Sequence, residues 1–289
     1  MIEKIKKLPD EIINHIKEYI IFKPNTKKVL KDAVNLWCSI KDDAKKIYGH
    51  ISFWDTSLIT DMSELFENKY RFIDDISYWD VSNVIDMSKM FYGAKKFNIS
   101  LNKWNTSKVT HMKSMFAHTK MFNGDISNWN MKNVVDTSYM FEYCKSFNQQ
   151  LNNWNVSNVK DMKYMFHDTN FNQQLNNWNV SNVKNMGFLF WNSKKFNQPL
   201  NKWNVSNVTN MEFMFSSATN FNQNIDNWDI SSLQDMQCMF TGVYAMKKAI
   251  NRPKWKISHV NNTQRIFDDY RESEIISNRA FMLNHAYQI

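Results

Sequence analysis

Hydrophobic and polar positions along this chain recur with a period of 25 residues. One interval is 24 residues, because a residue is missing shortly before Phe171. A degenerate further unit keeps the register from Trp255 to Phe267. Self-similarity at such a period indicates stacked repeats, each of which contacts mainly its two neighbours. The period is marked by eight tryptophans, Trp54, Trp79, Trp104, Trp129, Trp154, Trp178, Trp203 and Trp228.

The first part of each unit has the spacing of an extended segment. Leu151, Trp154 and Val156 recur at equivalent positions in the next two units. Trp and the residue two places on fall on one face of an extended chain. We therefore predict one short strand per unit, paired with the strands of the neighbouring units at about 4.8 Å, so that eight coils form a rod about 40 Å long.

The second part of each unit has helical spacing. Its apolar residues lie at i, i+3, i+6 and i+7, which is one stripe of a short helix. Ser157 precedes the stripe and is the expected N-cap, while Asp161 in the first turn suits the helix dipole. In the unit of Trp154 the stripe consists of Val159, Met162, Met165 and Phe166.

Asparagine is the polar residue that recurs with this framework. Asn or Asp also follows every Trp of the series except Trp255. A side-chain amide both donates and accepts hydrogen bonds, so we expect an Asn ladder in which stacked residues pair with the turn backbone and with one another. Asn follows Phe at the same register in six units, at Asn98, Asn123, Asn148, Asn172, Asn197 and Asn222.

The complete unit reads W-N-V-S-N-V-x-D-M-x-x-M-F and is followed by F-N-Q-x-L. It resembles the mycoplasma-type repeat of the BspA-like leucine-rich repeat group. Residues 30–66 resemble the segment that commonly opens such arrays, and the whole resemblance covers about residues 28–267. It implies a leucine-rich-repeat-like solenoid with interaction or surface-adhesion roles, and it implies no catalytic residues.

We therefore expect an α/β repeat solenoid over residues 51–267, with eight coils and a degenerate ninth. A terminal coil would leave apolar core and strand edge open, so each end needs a cap. Residues 27–50 have apolar positions at helical spacing, from Val29 to Ile40, and are the predicted N-terminal helical cap. Residues 268–289 contain an apolar cluster around Ile275 and Phe281 and are the predicted C-terminal helical cap.

Residues 1–26 are predicted to hold one further helix. The stretch 8–20 resembles the opening helix of an F-box, the module that docks substrate receptors onto Skp-type ubiquitin-ligase adaptors. This resemblance implies that the chain is a substrate receptor with a Skp-like adaptor as a partner. The alternative is a helix that packs on the N-terminal cap. The candidate adaptor-docking residues are Leu8, Pro9, Ile12, Ile13 and Ile16.

Four successive units carry an aromatic residue ten places after Trp, where the framework does not require one. These are Tyr139, Tyr164, Phe188 and Phe213, and Trp191 lies nearby. Relative to the apolar stripe, this register points away from the core. An outward aromatic row is a candidate partner-binding face, because aromatic side chains bury a large area at low entropic cost. The alternative is that the rings stack on one another or touch a loop.

The charge balance argues against nucleic acid as the partner. The net charge is +8, but residues 51–240 hold 17 basic and 17 acidic residues, so the excess lies in the two ends. The three cysteines are dispersed and suit a reducing compartment. We find no signal peptide and no membrane-spanning run, so we expect an intracellular, cytoplasmic protein. Association with a cell surface or a virion is the alternative.

No residue pattern in the chain indicates catalysis. The seven His have no metal-ligand spacing, and the five Gly form no phosphate-binding loop. We expect neither enzyme activity, nor a metal, nor a cofactor. The prediction is a protein-protein interaction solenoid. The alternative is a structural, surface or adhesion protein that assembles with copies of itself or coats a particle or cell.

Overall fold

The computed structural model describes residues 21–247 and 252–268 of the 289. Two α-helices come first, α1 at Lys27–Ser39 and α2 at Lys41–Tyr48. Single 3-10 turns occur at Ile51–Phe53 and Tyr244–Lys247, and the described ranges contain no strand longer than a single bridge. None of the helices in these ranges has the length and hydropathy to cross a lipid bilayer.

Helix α1 forms where apolar residues at helical spacing follow a threonine cap. The Oγ1 of Thr26 accepts a hydrogen bond from the N–H of Val29 at 3.3 Å. The inner face of α1 is buried, and the ring of Trp37 meets that of Trp54 edge-on with centroids 5.9 Å apart. Helix α1 therefore packs against the first repeat. Val29 and Ile40, which the sequence places on the apolar face, are 39% and 54% exposed, and Ile40 lies at the break between the helices.

Each repeat pairs with the next through a single parallel bridge, seven residues after Trp. The strand expected from Leu151 to Val156 is therefore wrong. That stretch forms tight turns, because the N–H of Trp154 donates to the carbonyl of Leu151 at 3.0 Å instead of to another repeat. The bridged residues are Asp61, Asp86, His111, Asp136, Asp161, Asn185, Asn210, Asp235 and Asn262.

The short helix expected between Val159 and Phe166 is also wrong. This stretch is a chain of turns, in which Tyr164 and the residue four places on have φ of 59° and 56°. Such left-handed residues interrupt a right-handed helix. The N–H of Tyr164 donates to the carbonyl of Gly187 in the next repeat, whereas the N–H of Met165 turns back to its own repeat, both at 3.1 Å. The alternation satisfies the backbone without a helix or a sheet.

The apolar stripe nevertheless lies in the core, with Val159, Met162, Met165 and Phe166 all fully buried. Equivalent rings of successive repeats form columns along the core. Phe166 stacks on the equivalent Phe of the preceding and following repeats at centroid distances of 5.7 and 5.6 Å. The indoles of Trp154 and the next repeat are 6.4 Å apart and parallel within 1°. The core is therefore continuous from repeat to repeat.

Polar side chains close the turns and join the repeats. The Oδ1 of Asn155 accepts the N–H of Ser157 at 3.1 Å, so Ser157 is a backbone donor in a turn and not the helix N-cap that the sequence predicts. In the Phe-Asn pair, the Oδ1 of Asn148 accepts the N–H of Asn172 in the next repeat at 2.8 Å. The same inter-repeat bond joins Asn98 to Asn123, Asn123 to Asn148, Asn172 to Asn197 and Asn197 to Asn222.

Candidate functional site

The predicted aromatic row forms a hydrophobic cluster of its own, separate from the main core. Tyr164, Phe188 and Trp191 are 6%, 3% and 7% exposed, and Tyr139 and Phe213 are partly buried at its ends. The row lies apart from the core, as expected from the sequence. The expectation of an open outward face is wrong, because the rings cover one another.

Neighbouring rings of the row stack almost parallel. The centroids of Tyr139 and Tyr164 are 4.8 Å apart, those of Tyr164 and Phe188 are 4.3 Å apart, and those of Phe188 and Phe213 are 4.9 Å apart. Each stacked pair contributes roughly 0.5–1.5 kcal/mol beyond the burial of its surface. Burial also raises the pKa of Tyr139 to about 12.

The backbone of the row is in an unfavourable conformation. Tyr139, Tyr164, Phe188 and Phe213 have φ between 52° and 61°. An L-residue there costs roughly 1 kcal/mol relative to glycine, yet no repeat has glycine at this register. Ring stacking offsets this cost in the four aromatic repeats. The sequence does not reveal this left-handed register, because no glycine marks it.

A salt bridge covers one side of the aromatic row. The Nζ of Lys163 lies 3.4 Å from the Oε1 of Glu212, which is two repeats away, and 5.3 Å from the ring centroid of Phe188. The salt bridge passes over Gly187, which lies in the repeat between those of Lys163 and Glu212. A Cβ at Gly187 would come within 3.1 Å of the Cγ of Glu212, so the missing side chain leaves the room that the bridge occupies.

A buried carboxylate and two imidazoles adjoin the row. The Nδ1 of His167 is 3.0 Å from one oxygen of Glu142, and the Nε2 of His118 is 3.8 Å from the other. The ring of His167 stacks on Trp191 at 4.4 Å. Burial lowers the pKa of His118, although Glu142 acts in the opposite direction. The sequence predicts no role for these histidines, since their spacing matches no metal site. Within the described ranges, no three His, Cys, Asp or Glu residues are placed to hold a metal ion.

Exposed apolar side chains concentrate at the other end of the array. Among the described residues, ten of the twelve exposed large apolar side chains lie within residues 21–85. Phe53 and Tyr78 are 75% and 69% exposed and share one register, directly before Trp in the first two repeats. From the third repeat onward this register holds Lys or Asn, beginning with Lys103. The Nζ of Lys103 lies 4.0 Å from the ring centroid of Tyr78.

The family of the chain follows from its repeats. The family model described as "Mycoplasma protein of unknown function, DUF285" matches residues 35–146, 74–174, 123–210 and 167–278, which together span more than half of the chain. The chain belongs to this family. No curated protein and no solved structure matches it.

Four overlapping DUF285 matches confirm the predicted tandem array of mycoplasma-type repeats. The wider relation to the BspA-like leucine-rich repeat group stays a prediction. The F-box-like segment of this DUF285 chain lies outside the described residues, and so does most of the predicted C-terminal cap. The adaptor-docking residues concerned are Leu8, Pro9, Ile12, Ile13 and Ile16.

Proposed function

We propose that this DUF285 chain is a non-catalytic protein-interaction scaffold, built as a leucine-rich-repeat-like solenoid. The bridges, ring columns and Asn bonds between successive repeats support the solenoid, since they link each unit to its neighbours. The observation that carries the interaction role is the concentration of exposed apolar side chains within residues 21–85. We call Phe53 and Tyr78, which occupy one register of adjacent repeats, the N-terminal surface.

An exposed apolar surface of this kind favours a protein partner on physical grounds. Removing apolar area from water is favourable by roughly 25 cal/mol per Å² before the entropic costs of association are subtracted. Large aromatic side chains are the usual anchors of such contacts, because they bury much area and lose little rotamer entropy. Phe53 and Tyr78 precede the stacked indoles of Trp54 and Trp79, whose centroids are 6.1 Å apart, so a rigid core supports both anchors.

The test is capture of proteins by the tagged chain from cells that express it. Any captured protein is then purified, and its affinity for the chain is measured directly. We expect the double variant Phe53→Ser, Tyr78→Ser to lose the partner. The control variant Met121→Ser, Tyr244→Ser removes two exposed apolar side chains elsewhere and should keep it. A partner that binds both variants equally would contradict the proposal.

Light scattering tests the structural alternative on the same proteins. Wild-type assemblies that are lost in the Phe53→Ser, Tyr78→Ser variant would assign the N-terminal surface to self-association. If the wild-type protein is monomeric, the N-terminal surface is not used for self-association and is available to another protein. The aromatic row can add to an interface mainly through its partly buried ends, Tyr139 and Phe213, because its centre is covered.

The proposal that the chain is also a substrate receptor depends on residues 8–20. Their apolar stripe includes Ile12 and Ile16 and supports docking onto a Skp-type adaptor. The test is a pull-down with such an adaptor, using the wild-type chain and the variants Ile12→Asp and Ile16→Asp. We expect the wild-type chain to bind and both variants to fail. No binding by the wild-type chain would favour the alternative, in which residues 8–20 pack on the N-terminal cap.

A further inference from the structure

A pocket of about 390 Å³ lies between the C-terminal part of α1 and the turn at residues 68–72 of the first repeat. Its lining includes Lys41, Lys69 and Arg71, together with Asn35 and Tyr70. Lys41 is neutralised by a salt bridge to Asp74. Within the described part of the chain, neither Lys69 nor Arg71 has a carboxylate within 4.0 Å. The pocket is therefore lined by two cations that are free to bind an anion.

The turns of the next repeats continue this positive surface. The N–H of Lys96 donates to the carbonyl of Tyr70 at 3.3 Å, and the N–H of Met121 donates to the carbonyl of Lys95 at 3.2 Å. Adjacent turns are thus bonded in series. The Nζ of Lys95 lies 4.6 Å from the ring centroid of Tyr70, which places it beside the pocket. We call the resulting row the cationic edge, and it consists of Lys69, Arg71, Lys95, Lys96 and Lys120.

Within the described ranges, no nearby carboxylate, Glu67 and Asp74 included, forms a salt bridge with this row. Glu142 is buried between His118 and His167. Asp168 pairs at 2.6 Å with Lys145, which is the cation of the following repeat. Among the described residues, no member of the cationic edge has a salt-bridge partner. The even charge balance of residues 51–240 therefore does not preclude a local row of unpaired cations.

We infer that the cationic edge binds an acidic segment of a partner polypeptide, whose carboxylates run along the first three repeats with one of them in the pocket. This inference rests on the proposed protein-interaction role and adds the chemistry of the partner. Carboxylates complement the free ammonium and guanidinium groups, and Arg71 can hold one with two hydrogen bonds. The pocket and the edge lie at the end of the array that also carries the N-terminal surface.

The rings beside the edge favour a polypeptide over a single-stranded nucleic acid. Nucleic-acid binding of this kind needs open ring faces on which bases stack. The ring of His118 already contacts Tyr92 at 5.3 Å on one side and stacks on Tyr143 at 4.7 Å on the other. One face of Tyr70 is covered by the Nζ of Lys95. These rings therefore offer few free faces, while Arg71, Lys95, Lys96 and Lys120 are exposed and Lys69 is half-buried.

The test measures binding of a fluorescent oligoglutamate peptide by anisotropy, with oligothymidylate of equal charge as a competing probe. The variant Lys69→Gln, Lys95→Gln, Lys120→Gln should bind oligoglutamate roughly tenfold more weakly, as expected for three exposed ion pairs. The control variant Lys160→Gln, Lys184→Gln, Lys202→Gln removes the same charge from exposed lysines of later repeats and should bind as the wild-type protein does. Binding should also weaken as salt is added.

Three results would overturn the inference. They are no binding of oligoglutamate by the wild-type protein, an equal loss in both lysine variants, and tighter binding of oligothymidylate. The outcome is independent of the N-terminal surface, because the Phe53→Ser, Tyr78→Ser variant keeps every cation and should bind oligoglutamate normally. If the wild-type protein does not bind oligoglutamate but the Phe53→Ser, Tyr78→Ser variant loses the captured partner, the cationic edge alone is refuted. If the wild-type protein binds oligoglutamate but that variant keeps the captured partner, the N-terminal surface alone is refuted.

Discussion

The ring of Tyr164 lies flat against the ring of Phe188 in the next repeat, with centroids 4.3 Å apart and planes within 6°. Both residues have a left-handed backbone, so their stacking opposes a local conformational cost. The pair shows that the aromatic row stabilises the array, whether or not a partner also uses it.

Substitution of Tyr164 or Phe188 by alanine should lower the free energy of unfolding by about 3–5 kcal/mol, as for a large buried aromatic residue. Tyr139→Ala and Phe213→Ala should cost less, because these rings lie at the ends of the row and are partly exposed. Urea denaturation followed by tryptophan fluorescence measures all four. A loss below about 1 kcal/mol for Tyr164→Ala would mean that the row is surface and not packing.

The period and the buried positions of this fold could be predicted from the sequence, but the local conformation could not. In a short helix and in this chain of turns alike, residues three apart in sequence, such as Met162 and Met165, lie on the same side. Glycine marks the second left-handed register only at Gly93 and Gly242, and the register of Tyr164 never has glycine. The apolar stripe therefore favoured a helix that the backbone does not form.

The burial of the aromatic row was unpredictable for a different reason. Its covering depends on contacts between repeats, such as the salt bridge from Lys163 over Gly187 to Glu212. The two ends of that bridge are 49 residues apart in sequence, and no local pattern relates them. The charge count did not predict the cationic edge either, because the even balance over residues 51–240 does not reveal that these five cations have no salt-bridge partner among the described residues.

Ser114 occupies the same left-handed register with φ of 55°, but without an aromatic ring. Among the buried side-chain N and O atoms of the described residues, its oxygen alone has no hydrogen-bond partner. Ser114→Gly removes both the backbone strain and the unsatisfied hydroxyl, so it should stabilise the protein by about 1–2 kcal/mol. Denaturant midpoints measure the gain. Ser138→Gly, at a buried position outside the left-handed register, is the control and should destabilise.

Asn148 links two repeats through its side-chain oxygen, which accepts the N–H of Asn172 at 2.8 Å. Asn148→Ala removes the acceptor and should cost about 0.5–1 kcal/mol, the low end for a lost hydrogen bond, because water can reach the site. Asn148→Asp keeps an acceptor at the same place and should retain most of the stability. Hydrogen exchange at the N–H of Asn172 reports the bond directly. Unchanged protection in Asn148→Ala would show that the side chain contributes nothing there.

The stability of the array should also depend on the protonation of His118. Burial holds its pKa below the ordinary value of 6.5. The unfolded chain therefore takes up the proton first, so the full stability is present above pH 6.5 and falls as the pH drops toward the folded-state pKa. The groups that face His118 are Glu142, His167, Lys95 and Lys120, with the rings of Tyr92 and Tyr143.

His118→Asn tests this dependence, because asparagine tolerates the left-handed backbone at this position, where φ is 60°. The free energy of unfolding, measured by urea denaturation between pH 5 and pH 8, should fall less steeply with acid in this variant than in the wild-type protein. Tyr143→Phe keeps a ring stacked on His118 and should preserve the wild-type slope. Equal slopes in His118→Asn and the wild-type protein would show that the protonation of His118 is not linked to folding.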